Sequence, residues 1–351
     1  MTHLRGHTPE TLAAAFPGLS LPVSRRVVNR LIGENRDELD GVPGLSKALA
    51  RELAERGRRD RLEVVDRRRS RVDPFVKYLF RAGDGRVFES VRIPLEQPRF
   101  SVCLSSQVGC ALGCRFCETG RLGFLRNLEA WEMVDQALQV RSESSERPTT
   151  GVVFQGQGEP LQNYDNVMQA ASVLRHPCGA RIGADRITIS TVGLLPQIER
   201  YIEERQPYRL ILSLTSAFSE KRERLVPITA RYGVPELAAA ARRLAAAQNG
   251  PVQLAWVLIS GYNSGPDEAL ELGRLFRGVR VRLSVIDVND PEGGFLRASD
   301  AERSRFLSAL AENGIGFVRR YSGGPDIDAA CGLLASRARG GVAHAPEPAL
   351  P

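Results

Sequence analysis

The chain reads as an α/β protein: an open, partial (β/α)6 barrel preceded by a small helical N-terminal domain and a short β extension. Two observations carry that reading. From residue 99 onward, six apolar runs alternate with six helical segments. Buried strand runs separated by helices imply a parallel sheet covered by those helices, and six units are too few to close an eight-stranded barrel. Before residue 99 the pattern is different, with helical spacing to about 56 and strand-like runs over 62–93.

The elements follow in order. Leu12, Phe16, Val27, Val28, Leu31 and Ile32, then Leu45, Leu49 and Leu53, recur near helical spacing. A Gly/Pro-rich turn over 41–46 ends in Ser46, a helix-capping residue. Val64-Val65, Val72, Phe75-Val76, 78–80 and 88–93 read as strands, with Gly83-Asp84-Gly85 as a hairpin turn. The barrel strands are expected at 100–104, 151–154, 187–190, 210–214, 252–258 and 281–286. Their helices are expected near 127–143, 163–175, 194–205, 234–248, 266–277 and 299–313. The last of these opens with Ser299 and Glu302 in a capping-box pattern. Three regions are expected: a helical N-terminal, RNA-docking domain over 1–75, a core with the β extension over 76–335, and a disordered Ala/Gly/Pro-rich tail over 336–351.

Composition narrows the function. The 351 residues carry a formal net charge of +7, which suits an anionic partner such as RNA. Nine arginines fall between Arg51 and Arg71, but five carboxylates lie among them, so charge alone leaves RNA binding open. No run of 18 apolar residues is present and no apolar leader opens the chain, so a cytoplasmic protein without a membrane span is expected. In that compartment cysteines serve as ligands or catalysts more than as staples. All four histidines fall outside the expected strands, which argues against a histidine metal site or a Ser-His-Asp triad.

Half of the six cysteines lie in one short segment, Cys110, Cys114 and Cys117. A C-x3-C-x2-C loop offers three thiolates, one fewer than a closed zinc or iron–sulfur site takes. Three ligands leave one iron of a 4Fe–4S cluster open to chelate S-adenosylmethionine (SAM), whose sulfonium a single electron then splits. The spacing resembles the signature of radical-SAM enzymes; a zinc knuckle completed elsewhere is the alternative. After the second barrel strand, Gly156-Gln157-Gly158-Glu159-Pro160 lets backbone approach a ligand and ends in a carboxylate able to accept from an ammonium group. Ser190, Ser213-Leu214-Thr215 and Asn289 follow the third, fourth and sixth strands. Each alone is an ordinary strand-end group, but together they share one rim.

The wider pattern closely resembles the RlmN and Cfr family of radical-SAM RNA adenine methyltransferases. It includes Cys103 through Cys117, the Gly158 to Val167 segment, Ile187 to Thr191, and Asp326-Ile-Asp-Ala-Ala-Cys331-Gly. The resemblance covers about 75–335. It implies a helical N-terminal domain, a partial barrel, a 4Fe–4S cluster, SAM used twice, and methylation of adenosine at carbon 2 or carbon 8 in 23S ribosomal RNA, with transfer RNA a further substrate in some members. It implies Cys110, Cys114 and Cys117 as cluster ligands. SAM contacts would come from Gly158, Glu159, Ser190, Ser213, Leu214, Thr215 and Asn289. It implies Cys331 as methyl carrier, Cys103 as its partner in a transient disulfide, and Glu89 as proton acceptor. A one-electron donor such as flavodoxin or ferredoxin and a monomeric state are also expected. Cys178 matches no family position.

The chain departs from the family in several places. Thr215 stands where a histidine is expected, Glu118 replaces a serine and Gln157 a methionine, Arg320-Tyr321-Ser322 replaces a more basic stretch, and the neighbours of Asn289 differ. The span from Glu89 to Cys103 is one residue longer. A divergent member is therefore expected. A radical-SAM enzyme with a non-RNA substrate and a nonenzymatic metal-stabilised RNA-binding protein are the other readings.

Overall fold

One ten-stranded sheet organises the molecule, and its strands lie side by side in the order in which they occur in the chain. The computed structural model describes residues 1–95, 99–143, 149–290 and 294–334. Strands β1 (Glu63–Arg69), β2 (Val76–Arg81) and β3 (Val87–Pro94) are antiparallel, and β4 (Phe100–Leu104) pairs antiparallel with β3. From β4 onward every pairing is parallel: β5 (Thr149–Phe154), β6 (Ile187–Thr191), β7 (Arg209–Ser213), β8 (Val252–Leu258), β9 (Val281–Asp287) and β10 (Gly316–Arg320). The edge strands β1 and β10 do not pair, so the barrel stays open.

Helices 130–142, 164–175, 195–203, 234–247, 266–275 and 300–312 join successive parallel strands, as the sequence pattern predicts. The capping box at Ser299 forms, with Ser299 Oγ accepting from Glu302 N at 3.2 Å and Glu302 returning the bond to Ser299 N at 2.9 Å. Strand β10 is an addition to the expected six. It is a half-exposed edge strand with only Phe317 and Val318 as large apolar residues, so no buried run announces it.

Alternation along the strands divides the side chains. Leu254, Trp256 and Leu258 of β8, like Leu210 and Leu212 of β7, enter the large core shared with the helices, where Trp256 packs against Phe306 at 5.6 Å. The intervening residues face the barrel interior, and that set includes Cys103, Ser190, Ser213 and Ala255.

The N-terminal helices (Pro9–Ala15, Leu21–Val28 and Lys47–Arg56) contribute to the same apolar core as the barrel. Polar anchors fix them. The His3 ring stacks on Trp131 at 3.9 Å, and buried Arg5 bonds Asp37 at 2.5 Å and lies 3.7 Å from Asp135. Asp135 also accepts from Arg61 and from the Leu62 amide, both at 2.9 Å. The division expected at residue 75 falls inside the β1–β2 hairpin. Helices give way to strands near residue 57, because β1 requires β2 as its ladder partner. Val72, expected in a strand, stands exposed in the turn between them. The tail expected over 336–351 lies outside the described residues. No helix among the described residues is long and apolar enough to cross a membrane.

Candidate active site at the strand ends

The cysteine loop begins just past β4. A short antiparallel pair, Gln107–Gly109 with Phe124–Asn127, brackets it. Gly109 has φ +76°, and a Cβ there would lie 1.8 Å from the Gly123 carbonyl oxygen, so only glycine admits this approach. The same carbonyl accepts from Cys110 N at 2.9 Å, and Cys117 N donates to Cys114 O at 3.1 Å. Cys110, Cys114 and Cys117 thereby line one open cleft of about 960 Å³ at the C-terminal ends of the parallel strands. Burial pushes the Cys110 thiol up to about 11, and raises Cys114 and Cys117 as well. Metal ligation would have to displace those protons.

Across the cleft stand Gly158, Glu159, Ser190, Ser213, Thr215 and Asn289. Gly158 has φ +93°, and a Cβ there would meet the Gln107 side chain at 2.4 Å. Glu159 accepts from Leu161 N and Val192 N, both at 3.0 Å, and its burial raises its pKa. Ser190 and Ser213 bring their hydroxyls to 3.4 Å of each other. Thr215 is fully buried at φ +63°, and its Oγ1 has no hydrogen-bond partner among the described residues. Leu214 differs from expectation. Its side chain belongs to the core and does not line the cleft, because it points away from its neighbours Ser213 and Thr215. Arg222, fully buried, ties this rim together by donating to the carbonyls of Leu214 (2.9 Å), Ser213 (3.1 Å) and Val192.

Asn289 faces the cleft but is committed to the chain. Its Nδ2 lies 3.0 Å from Ser322 Oγ, 3.2 Å from Asp287 O and 3.3 Å from Cys331 O, while Arg297 donates to its Oδ1. It braces the segment that carries Cys331.

A second cavity adjoins the first. Cys103, Phe75, Val91, Arg320 and Tyr321 line it, and Cys331 lines both cavities. Cys331 is exposed, and its amide donates to Ser322 Oγ at 2.9 Å. The following residues clip onto the cysteine loop: Glu118 N donates to Gly332 O at 2.7 Å, and Thr119 Oγ1 to Leu334 O at 2.5 Å. Burial pushes the Cys103 thiol up to about 12, nearby Cys331 adds to the rise, and Arg320 opposes it.

Glu89 lines neither cavity. The register pairs Val91 with Cys103, so Glu89, two residues before Val91, shares their face of the sheet. It is buried, its Oε1 lies 3.1 Å from Lys77 Nζ, and its Oε2 has no hydrogen-bond partner among the described residues. Burial pushes the carboxyl up to about 7, while Lys77 pulls the other way. Lys77 and Arg222 both escaped the sequence reading. The rarity of lysine, present only at 47, 77 and 221, was the available hint for the first. Cys178 lies apart, in a groove beside Arg25 and Arg181.

The donor set fits a cluster with SAM. No three His, Cys, Asp or Glu side chains among the described residues converge on a single metal ion. A cube takes one thiolate per iron, so its ligands stand apart around it. The unpartnered Thr215 hydroxyl and the Ser190–Ser213 pair face the same space, which suits a polar ligand beside those thiolates.

Comparison with known proteins agrees. Residues 104–273 match the Radical SAM superfamily. A probable RNA methyltransferase of Myxococcus xanthus is 48% identical over 289 residues, covering 82% of this chain and 80% of the relative. The dual-specificity RNA methyltransferase RlmN of Syntrophotalea carbinolica is 38% identical over 313 residues, covering 89% and 82%. The crystal structure of a radical SAM methyltransferase from Sphaerobacter thermophilus superposes with a TM-score of 0.87 at 37% identity, covering 95% of this chain and 99% of that one. With this degree of similarity over most of its length, the chain belongs to the radical-SAM RNA methyltransferases of the RlmN type.

Proposed function

We propose that the enzyme methylates a ring carbon of adenosine, carbon 2 or carbon 8, in 23S ribosomal RNA, with transfer RNA as a second substrate. The supporting observation is the position of Cys331, at the junction between the cleft of the cysteine triplet and the cavity that holds Cys103. A 4Fe–4S cluster on Cys110, Cys114 and Cys117, with SAM against Glu159, Ser190, Ser213 and Thr215 and an electron from a flavodoxin or ferredoxin, would supply a methyl group and a carbon-centred radical.

The remaining steps fall to the chain. An adenine ring carbon is too electron-poor to attack a methyl sulfonium directly, so Cys331 carries the methyl group, gives one of its hydrogens to the carbon-centred radical and becomes joined to the base through the remaining methylene. The adduct gives up one electron, which the cluster would take back. Glu89, poised near pH 7 and paired with Lys77, takes the proton lost from the ring. Cys103 then attacks the Cys331 sulfur, giving up its thiol proton as it does so. The S–S bond forms, the carbon–sulfur bond breaks, and its electron pair stays with the carbon, which takes a proton. A dithiol reductant restores both cysteines.

Trapping tests this order. Cys103→Ala protein turned over with labelled RNA should accumulate an RNA adduct through Cys331 that survives a denaturing gel, whereas Cys331→Ala should give neither adduct nor methylated RNA. Normal turnover by Cys103→Ala with no trapped RNA would sink the two-cysteine route. Mass mapping of adenosines in RNA from cells with and without the gene identifies the position.

A further inference from the structure

Tyr321 follows β10 directly and is the most exposed aromatic side chain among the described residues, at 69%. Its position is nonetheless fixed. The hydroxyl donates to Asp73 Oδ2 at 2.9 Å, and the same carboxylate accepts from Gly324 N at 2.7 Å and Phe75 N at 3.1 Å. The ring meets Phe75 at 6.1 Å and 76°, an edge contact that occupies at most one of its faces. A large ring standing in water forgoes its burial energy, yet this one is braced at its far end by a bond that leaves a face open. Both Tyr321 and Phe75 line the largely apolar cavity of Cys103 and Cys331, in which Arg320 is the only charged side chain among the described residues.

We propose that Tyr321 is the stacking platform for the target nucleobase: an adenine turned out of the RNA seats flat on this ring while its reactive carbon points toward Cys331. The proposal rests on the reading that the substrate is an adenosine in RNA. A base that leaves its stack loses contact on both faces, and an aromatic side chain at the mouth of the pocket restores one of them. Pre-ordering by Asp73 reduces the side-chain entropy lost when the base arrives. The site suits any extruded purine at this point, so selection of the adenosine itself would come from the surrounding RNA.

The test uses the reconstituted holoenzyme, methyl-labelled SAM and total RNA from cells lacking the gene, with Tyr321→Leu and Tyr321→Phe compared. Leucine keeps apolar bulk but removes the ring; phenylalanine keeps the ring and loses only the bond to Asp73. Tyr321→Leu should raise the KM for RNA about tenfold or more, with a smaller effect on kcat, and Tyr321→Phe should recover most of that loss. Iron and sulfide content per chain reports whether the Leu variant is folded. Wild-type KM in Tyr321→Leu overturns the proposal. Equal impairment of both variants also overturns it, by assigning the effect to the Asp73 brace. If the wild-type enzyme cleaves SAM but methylates no adenosine, the RNA reading fails first and the proposal falls with it.

Discussion

The two cavities that meet at Cys331 are built by opposite means. The cleft of the cysteine triplet is walled by the ends of parallel strands, whose registers hold Ser190, Ser213 and Asn289 at one rim and whose carbonyls Arg222 ties together. The cavity of Cys103 has the sheet as one wall, at β3 and β4. Its other wall is the 322–334 segment, which contains a single helical turn, Pro325–Ile327, and is held mainly by side-chain hydrogen bonds to separate parts of the chain and not by a strand ladder. The cleft residues thus sit at the ends of regular strands, and the thiol that lines both cavities sits on a segment with little regular structure. Local stability follows the density of such backbone bonds, and the proposed route, in which one sulfur meets a methyl donor, a base and a second cysteine in turn, would draw on that difference.

The largest expected effect separates the two sides. Cys114→Ala should abolish deoxyadenosine formation and RNA methylation together, with iron and sulfide lost from the protein. Cys331→Ala should abolish methylation alone and keep a cluster that still cleaves SAM. A SAM-cleaving cluster in Cys114→Ala would break the comparison at its root.

A smaller effect concerns the base. Glu89 accepts a proton only when ionised, so single-turnover product formation should fall on the acid side of about pH 7. Lys77→Met removes the opposing cation and should move that limb upward by about one unit; an unmoved limb would detach Glu89 from the rate. For stability the sign runs the other way. The folded carboxyl, at about 7, holds its proton above its ordinary value of 4.5, so its contribution to stability is present below 4.5 and is lost as pH rises through 7.

The smallest effect concerns Thr215. Thr215→Val keeps shape and branching and removes a hydroxyl that has no partner among the described residues. It should raise the KM for SAM a few-fold and leave folding unharmed. An unchanged KM would remove Thr215 from the SAM contacts.

Much of this was legible beforehand, for identifiable reasons. Parallel strands buried on both faces appear as apolar runs, and the three cysteines lie within eight residues, so the barrel and the triplet are local signals. Strand β10 was missed because an edge needs no apolar run. The pairing of Lys77 with Glu89 depends on the β2–β3 register, which residue types alone do not fix. Adjacency groups Leu214 with Ser213 and Thr215, although Leu214 takes the core side opposite Ser213, as successive residues along a strand do. Asn289 was placed correctly on the rim, but its amide bonds to the Cys331 segment arise from contacts distant in sequence.

The linear strand order of the sheet has a consequence for biogenesis. Each strand from β2 to β10 joins a neighbour synthesised just before it, so the sheet can grow at one edge as the chain leaves the ribosome. The three-cysteine loop and most of its cleft wall then exist before residues 322–334 have been made. In this order the cup at the strand ends is open while it is being built, and the bonds from the Cys331 segment to Glu118 and Thr119 can form only afterwards.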